Sequence, residues 1–125
     1  MKVILDTNFL IYCAKEKMDY VEEIDKMINE NYEIVVPLQV IEELERLKVK
    51  AKKGKDKDAS DLALKILKNN KIKIVDILGK NVDRAIINLA EENNKNIVCT
   101  LDREMRHLLE RVILINKGRK LMLTK

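Results

Sequence analysis

The feature that most constrains this chain is the alternation of two kinds of apolar run. Short runs at Val3–Leu5, Glu33–Val36, Ile72–Val75, Asn96–Cys99 and Val112–Ile115 read as buried strands. Between them, apolar residues recur at helical spacing: Val21, Ile24 and Ile28; Val40, Leu44, Leu47 and Ala51; Ala59, Leu62, Ala63, Ile66 and Leu67; and Val82, Ala85, Ile86, Leu89 and Ala90. Each set forms one buried stripe on a helix. Strands joined through helices require crossover connections. The expected fold is therefore α/β: a three-layer sandwich whose central, largely parallel sheet of about five strands is flanked by helices. Pro37 is expected in the first turn of a helix, where its missing N–H is not needed. Leu121-Met122-Leu123 is a candidate further edge strand. With 125 residues and no repeat or linker, residues 1–125 read as a single domain.

Hydrophobic residues at 46% and charged residues at 37% describe a folded chain and exclude a disordered one. The formal charge of +4 suits a nucleic-acid partner without requiring one. Trp is absent and aromatics are 3%, which argues against recognition by base stacking alone. Cys13 and Cys99 are too few and too distant in sequence for a disulfide framework or a zinc site, and read as core thiols of a reducing cytoplasm. The first apolar run meets a charge after Leu5, so no signal peptide is expected, and no run is long enough to span a membrane.

Four acids stand at strand ends or on apolar helix faces. Asp6 closes the first strand, and Asp102 follows Ile97-Val98-Cys99-Thr100. Glu43 shares the stripe of Val40 and Leu47, and Asp83 lies near the start of its helix beside Ile86, Ile87 and Ala90. In a parallel sheet, strand ends of this kind share one edge, the edge where ligands bind in open α/β folds. Carboxylates gathered there repel and raise one another's pKa. A hard divalent cation relieves the repulsion, and oxygen donors without His or Cys favour Mg²⁺ or Mn²⁺. Each acid also has an ordinary structural role open to it: Asp6 and Asp102 as helix N-caps, Asp83 as a dipole partner, Glu43 as a solvated side chain.

The order Leu-Asp-Thr-Asn, Val-Pro…Val-Ile-Glu-Glu-Leu, Val-Asp-Arg-Ala-Ile-Ile-Asn-Leu-Ala and Ile-Val-Cys-Thr-Leu-Asp resembles the PIN-domain nucleases, from Lys2 to about Ile115. The resemblance implies a metal-dependent ribonuclease on a parallel α/β sheet. Its acidic positions carry over to Asp6, Glu43, Asp83 and Asp102, with one or two Mg²⁺ or Mn²⁺ ions. Glu43 is preferred to the adjacent Glu42 because it precedes Leu44 as in the family pattern and shares the Val40–Leu47 face. Thr7, Asn8 and Thr100 look like supporting polar residues. The stretch from Thr100 to Lys120 is similar to the branch that processes ribosomal RNA precursors, whereas toxin members of the VapC type share the acids. Possible partners are accordingly an RNA substrate, a ribosomal precursor or an antitoxin, and a second copy of the chain.

Between Arg46 and Lys57 lie seven basic residues and one acid: Arg46, Lys48, Lys50, Lys52, Lys53, Lys55 and Lys57 with Asp56. This run is either a solvated helix end and loop or an arm that follows phosphates beside the acidic edge. Arg103, Arg106 and Arg111 are candidates to extend that surface, and His107 is expected at the surface without a catalytic role. Two rival chemistries are weaker. An aspartyl phosphotransferase calls for a second Asp where Asn8 stands, and a phospho-acceptor domain calls for a Lys where Thr100 stands. A non-catalytic RNA-binding module is a third reading, but such a module has no use for convergent acids.

Overall fold

The computed structural model of the protein describes residues 1–50, 54–116 and 120–124. The chain opens with strand β1 (Lys2–Leu5), helices α1 (Thr7–Lys15) and α2 (Tyr20–Met27), strand β2 (Glu33–Pro37), and helices α3 (Leu38–Lys50) and α4 (Gly54–Asn69). It continues through β3 (Lys73–Val75), α5 (Val82–Glu91), β4 (Ile97–Cys99), α6 (Arg103–Arg106), β5 (Val112–Ile115) and β6 (Leu121–Thr124). These strands form one six-stranded sheet in the order β3-β2-β1-β4-β5-β6. All neighbours are parallel except β5 and β6, which are antiparallel.

The central strands read as continuous apolar runs because helices cover both of their faces. Val3, Ile4 and Leu5 of β1 and Ile97, Val98 and Cys99 of β4 are fully buried. The chain winds outward from β1 through β2 to β3, then returns to the other side of β1 with β4. The strand order therefore reverses between β1 and β4, and open α/β sheets form their binding crevice at the carboxyl ends of such a pair. Asn96 ties the opposite edge together. Its Oδ1 accepts from the Lys2 backbone N–H at 2.8 Å, and its Nδ2 donates to the Leu89 carbonyl at 3.1 Å.

The architecture agrees with the sequence expectation, with local corrections. The sheet has six strands because Leu121–Thr124 pairs along β5. Pro37 is the last residue of β2, in register with Val75, and α3 begins one residue later. The strand hydrogen bond that Pro37 lacks is lost where the ladder ends in any case. The segment after Asp6 is a helix, α1, that the sequence reading left unassigned; Phe9, Leu10, Cys13 and Ala14 form its buried face. Leu62, expected on the buried stripe of α4, is 37% exposed. Among the described residues no helix is long and apolar enough to cross a membrane.

Candidate active site

Asp6 stands at the switch point. Its backbone N–H donates to the Cys99 carbonyl at 3.0 Å, which extends the β1–β4 pairing by one bond. The chain then turns into α1, and the Asp6 side chain caps that helix: Oδ1 accepts from the Thr7 N–H at 2.8 Å. Oδ2 accepts from the Thr100 hydroxyl at 2.6 Å. The same hydroxyl oxygen accepts from the Asp102 backbone N–H at 3.1 Å. Its single hydrogen goes to Asp6, so the 3.5 Å approach to Asn8 Oδ1 is a contact only. Asn8 Oδ1 instead accepts from the Leu101 N–H at 3.1 Å. Asp102 caps α6, with Oδ1 accepting from the Glu104 and Met105 N–H groups at 2.9 and 3.2 Å. Thr100 thus joins the ends of β1 and β4 and fixes both aspartates relative to the sheet.

Burial pushes the Asp6 carboxyl from its ordinary 3.8 up to about 6. The Thr100 and Thr7 hydrogen bonds pull it down, and the charges of Asp83 and Glu43 push it further up. Asp6 is 3% exposed, so water does little to offset these effects. The Asp83 carboxyl is also raised, first by burial and then by the charges of Asp102, Glu43 and Glu104. Asp83 as a residue is exposed, at the first turn of α5. Asp6, Glu43, Asp83 and Asp102 therefore feel one another across the carboxyl edge of the sheet. None of the four forms an ion pair among the described residues. Glu43, half-buried, is the α3 acid whose charge acts on Asp6 and Asp83; Glu42 is exposed. Glu104 had no signal in the sequence beyond its distance of two residues from Asp102.

Among the described residues, no three acidic, His or Cys groups stand close enough together to enclose a metal ion as they are placed. The donor set nevertheless suits a hard divalent cation. It is oxygen-only, it carries uncompensated negative charge, and Mg²⁺ retains several waters, needing only one or two carboxylates. The Thr7 hydroxyl, next to Asp6, is buried without a hydrogen-bond partner among the described residues, which leaves one further oxygen for a ligand or its water. Asp6 at the end of β1 and Asp102 at the cap of α6 are the residues that would hold the ion, with Glu43 and Asp83 beside it.

The basic run divides. Arg46, Lys50 and Lys57 are exposed, and among the described residues they form no ion pair. Lys48 is engaged by Asp61 at 3.1 Å, which Lys65 also contacts at 3.0 Å. Lys52, Lys53 and the side chain of Lys55 lie outside the described residues. Arg46, Lys48 and Lys50 lie on α3 and Lys57 near the start of α4. Arg103 and Arg106 are exposed on α6, and His107 is exposed beyond it. Arg111 is not a candidate for substrate: it donates to the Lys95 carbonyl at 2.8 Å and stands 3.7 Å from Glu30.

A sequence profile described as a PIN like domain matches residues 3–119. The chain belongs to this family. A relative from Methanocaldococcus jannaschii named Ribonuclease VapC4 is 45% identical over 109 residues, covering 86% of this chain and 82% of its own length. Two solved structures share the PIN-like fold. The PIN domain endonuclease Utp24 superposes with a TM-score of 0.78 at 20% identity, covering 98% of this chain and 90% of its own. A VapBC2 complex from Rickettsia felis bound to a promoter DNA fragment gives 0.63 at 17% identity, covering 93% of this chain and 100% of the matched one. At those identities the two structures speak for the fold alone.

Proposed function

We propose that this protein is a metal-dependent endoribonuclease of the VapC toxin type that hydrolyses RNA phosphodiester bonds and is restrained by a protein antitoxin. The observation that carries this reading is the 45% identity to Ribonuclease VapC4 across most of both chains. The similarity of the C-terminal stretch to the ribosomal-RNA-processing branch finds no support in that relative, so the toxin reading takes precedence. The unpaired acids at the switch point support the enzyme over a non-catalytic module, since burial and mutual repulsion make them costly to keep.

A bound Mg²⁺ or Mn²⁺ supplies charge neutralisation at the phosphate and lowers the pKa of an attacking water. The chain's own groups do the rest. Asp6 and Asp102 would hold the ion at a fixed place, because each is anchored by a helix cap and by Thr100. Glu43 and Asp83 accept hydrogen bonds from water at the rim and orient it. Arg46, Lys50, Lys57 and Arg103 receive the flanking phosphates, and no side-chain nucleophile is called for.

The test is cleavage of an end-labelled RNA in Mn²⁺ or Mg²⁺, with the same sequence as DNA beside it. Cleavage of RNA that disappears in EDTA and in Asp6→Asn supports the reading; cleavage that persists in excess chelator overturns it. Induced expression in a bacterial host tests the toxin assignment. Growth arrest by the wild type and not by Asp6→Asn is expected, and RNA cleavage without growth arrest would return the assignment to RNA maturation.

A further inference from the structure

The acids of the site come from two sources of different rigidity. Asp6 and Asp102 are fixed by the sheet, whereas Glu43 and Asp83 ride on separate helices, α3 and α5, whose spacing must be set by something else. The link is Gln39. It lies one turn before Glu43, on the same face of α3, and its Nε2 donates to the Ile77 carbonyl at 2.7 Å and to the Gly79 carbonyl at 3.2 Å. From the other side, Asn88 of α5 donates to the Leu78 carbonyl at 2.7 Å. Three consecutive carbonyls of the segment between β3 and α5 are therefore held by side chains of the two acid-bearing helices.

The segment is also fixed sterically. A Cβ on Gly79 would stand 2.5 Å from the Ala85 nitrogen and 2.7 Å from its Cα, so backbone lies directly on backbone at the first turns of α5. Asn81 then caps α5 by accepting from the Arg84 N–H at 2.9 Å, two residues before Asp83 begins to face the site. The arrangement has a cost. With both amide hydrogens of Gln39 committed, its Oε1 is buried without a partner among the described residues. Turning the amide over would set Oε1 against two carbonyl oxygens, so the orientation is dictated by its partners. A surface segment could leave its carbonyls to water, yet here a buried acceptor goes unpaired to keep them clamped.

We infer that Gln39 is a positioning residue for the candidate metal centre: by clamping residues 77–79 it sets the distance between Glu43 on α3 and Asp83 on α5. This rests on the reading of the acids as ligands of a divalent cation. Gln39 touches neither ion nor substrate, and its effect passes through the segment that leads into Asp83's helix. Groups that act on metal sites at one remove change affinity by about 10- to 100-fold.

The experiment is calorimetric titration of metal-free protein with Mn²⁺, alongside thermal melts in EDTA. Wild type is expected to bind and Asp6→Asn to lose binding. Gln39→Met, which keeps the length and removes the donor, is expected to stay folded and bind about tenfold more weakly. Raising Mn²⁺ by the same factor should restore its kcat. Asn88→Ser, which releases the same segment from the α5 side, should weaken binding in the same direction, and it carries the test if Gln39→Met fails to fold. Asn70→Ala removes a helix-end hydrogen bond to Ile66 far from the acids and serves as the control for plain destabilisation; its Mn²⁺ affinity should not move. Wild-type affinity in both Gln39→Met and Asn88→Ser, with binding lost in Asp6→Asn, would overturn the clamp and leave the metal reading intact. Absence of Mn²⁺ binding by the wild type would overturn both.

Discussion

Removing the charge of Asp6 should make the metal-free protein more stable at neutral pH, an unusual outcome for a buried hydrogen-bonded residue. The folded carboxyl titrates near 6 against an ordinary 3.8. Because its folded pKa is raised, the carboxyl holds its proton more tightly in the native state, and stability is lost as pH rises between those two values. The gap of about two pH units at about 1.4 kcal/mol each sets an upper limit of about 3 kcal/mol above pH 7. Asp6→Asn keeps an acceptor for the Thr7 N–H, but it turns an amide N–H toward the Thr100 hydroxyl, which must then reorient. We therefore expect about 1–2 kcal/mol of stabilisation, or about 4–8 °C in Tm for a chain of this size. The assay is urea unfolding of both proteins in EDTA across pH 4 to 8. At pH 4 the variant should be less stable by about 1 kcal/mol, and the difference should change sign near pH 5 and level off above 7. Asp83, also raised, titrates in both proteins, so only its coupling to Asp6 enters the difference. Adding Mn²⁺ at about a hundredfold over its Kd should give wild type about 2.7 kcal/mol and the variant none, which offsets or reverses the order. A variant that is no more stable at pH 7.5, or a difference independent of pH, would refute the reasoning.

Three other expectations follow from the same geometry. Thr100→Val removes the donor to Asp6 Oδ2 and the acceptor of the Asp102 N–H. It should cost about 1–3 kcal/mol and move the Asp6 titration upward, as carboxyl carbon NMR would register. Replacing Arg46, Lys50 and Lys57 by Ala should raise KM for RNA at unchanged kcat and flatten the logarithmic salt dependence of single-strand binding by about 2; an unchanged slope would mean that these three cations do not meet phosphate. Asp102→Asn keeps a good N-cap and removes the charge, so its melt should stay near wild type while Mn²⁺ binding falls. Asp102→Ala loses the cap as well and should cost about 1 kcal/mol more, read by thermal melts of the two variants side by side.

The sheet was legible because its strands are covered on both faces. Burial from two sides writes an unbroken apolar run, and such runs stand out against helical periodicity. The four acids were legible as members of those runs and stripes. Helix α1 was less so, although its signal was present. Phe9, Leu10, Cys13 and Ala14 follow Asp6 at helical spacing, but the polar trio Asp6-Thr7-Asn8 suits the rim of a strand as well as the start of a helix. Arg111 read as a surface cation because nothing local in the sequence announces Glu30 or the Lys95 carbonyl as its partners. The influence of Glu104 on Asp83, and the reach of Gln39 to residues 77–79, depend on how separate helices meet. That information is tertiary and has no period to detect.

The sequence posed capping and ligation as alternative explanations for Asp6 and Asp102, and the structure shows why they are compatible. A cap uses one carboxylate oxygen and fixes the side chain against the backbone, which is what a rigid ligand requires. If capping were the whole explanation, the helix N-terminus and the Thr7 and Thr100 hydrogen bonds would draw Asp6 below its ordinary range, as they do for satisfied caps. The carboxyl instead lies near 6, with burial and two neighbouring acids outweighing every donor it has. Burial is the largest cause of that rise, and the two neighbouring acids add to it. Asp83 is raised in the same sense, first by burial and then by Asp102 and Glu104 at α6 and Glu43 on α3. A fold under selection for stability alone could relieve both with a single Asn or Lys. A divalent cation held at the switch point would relieve both, as the proposed nuclease chemistry requires.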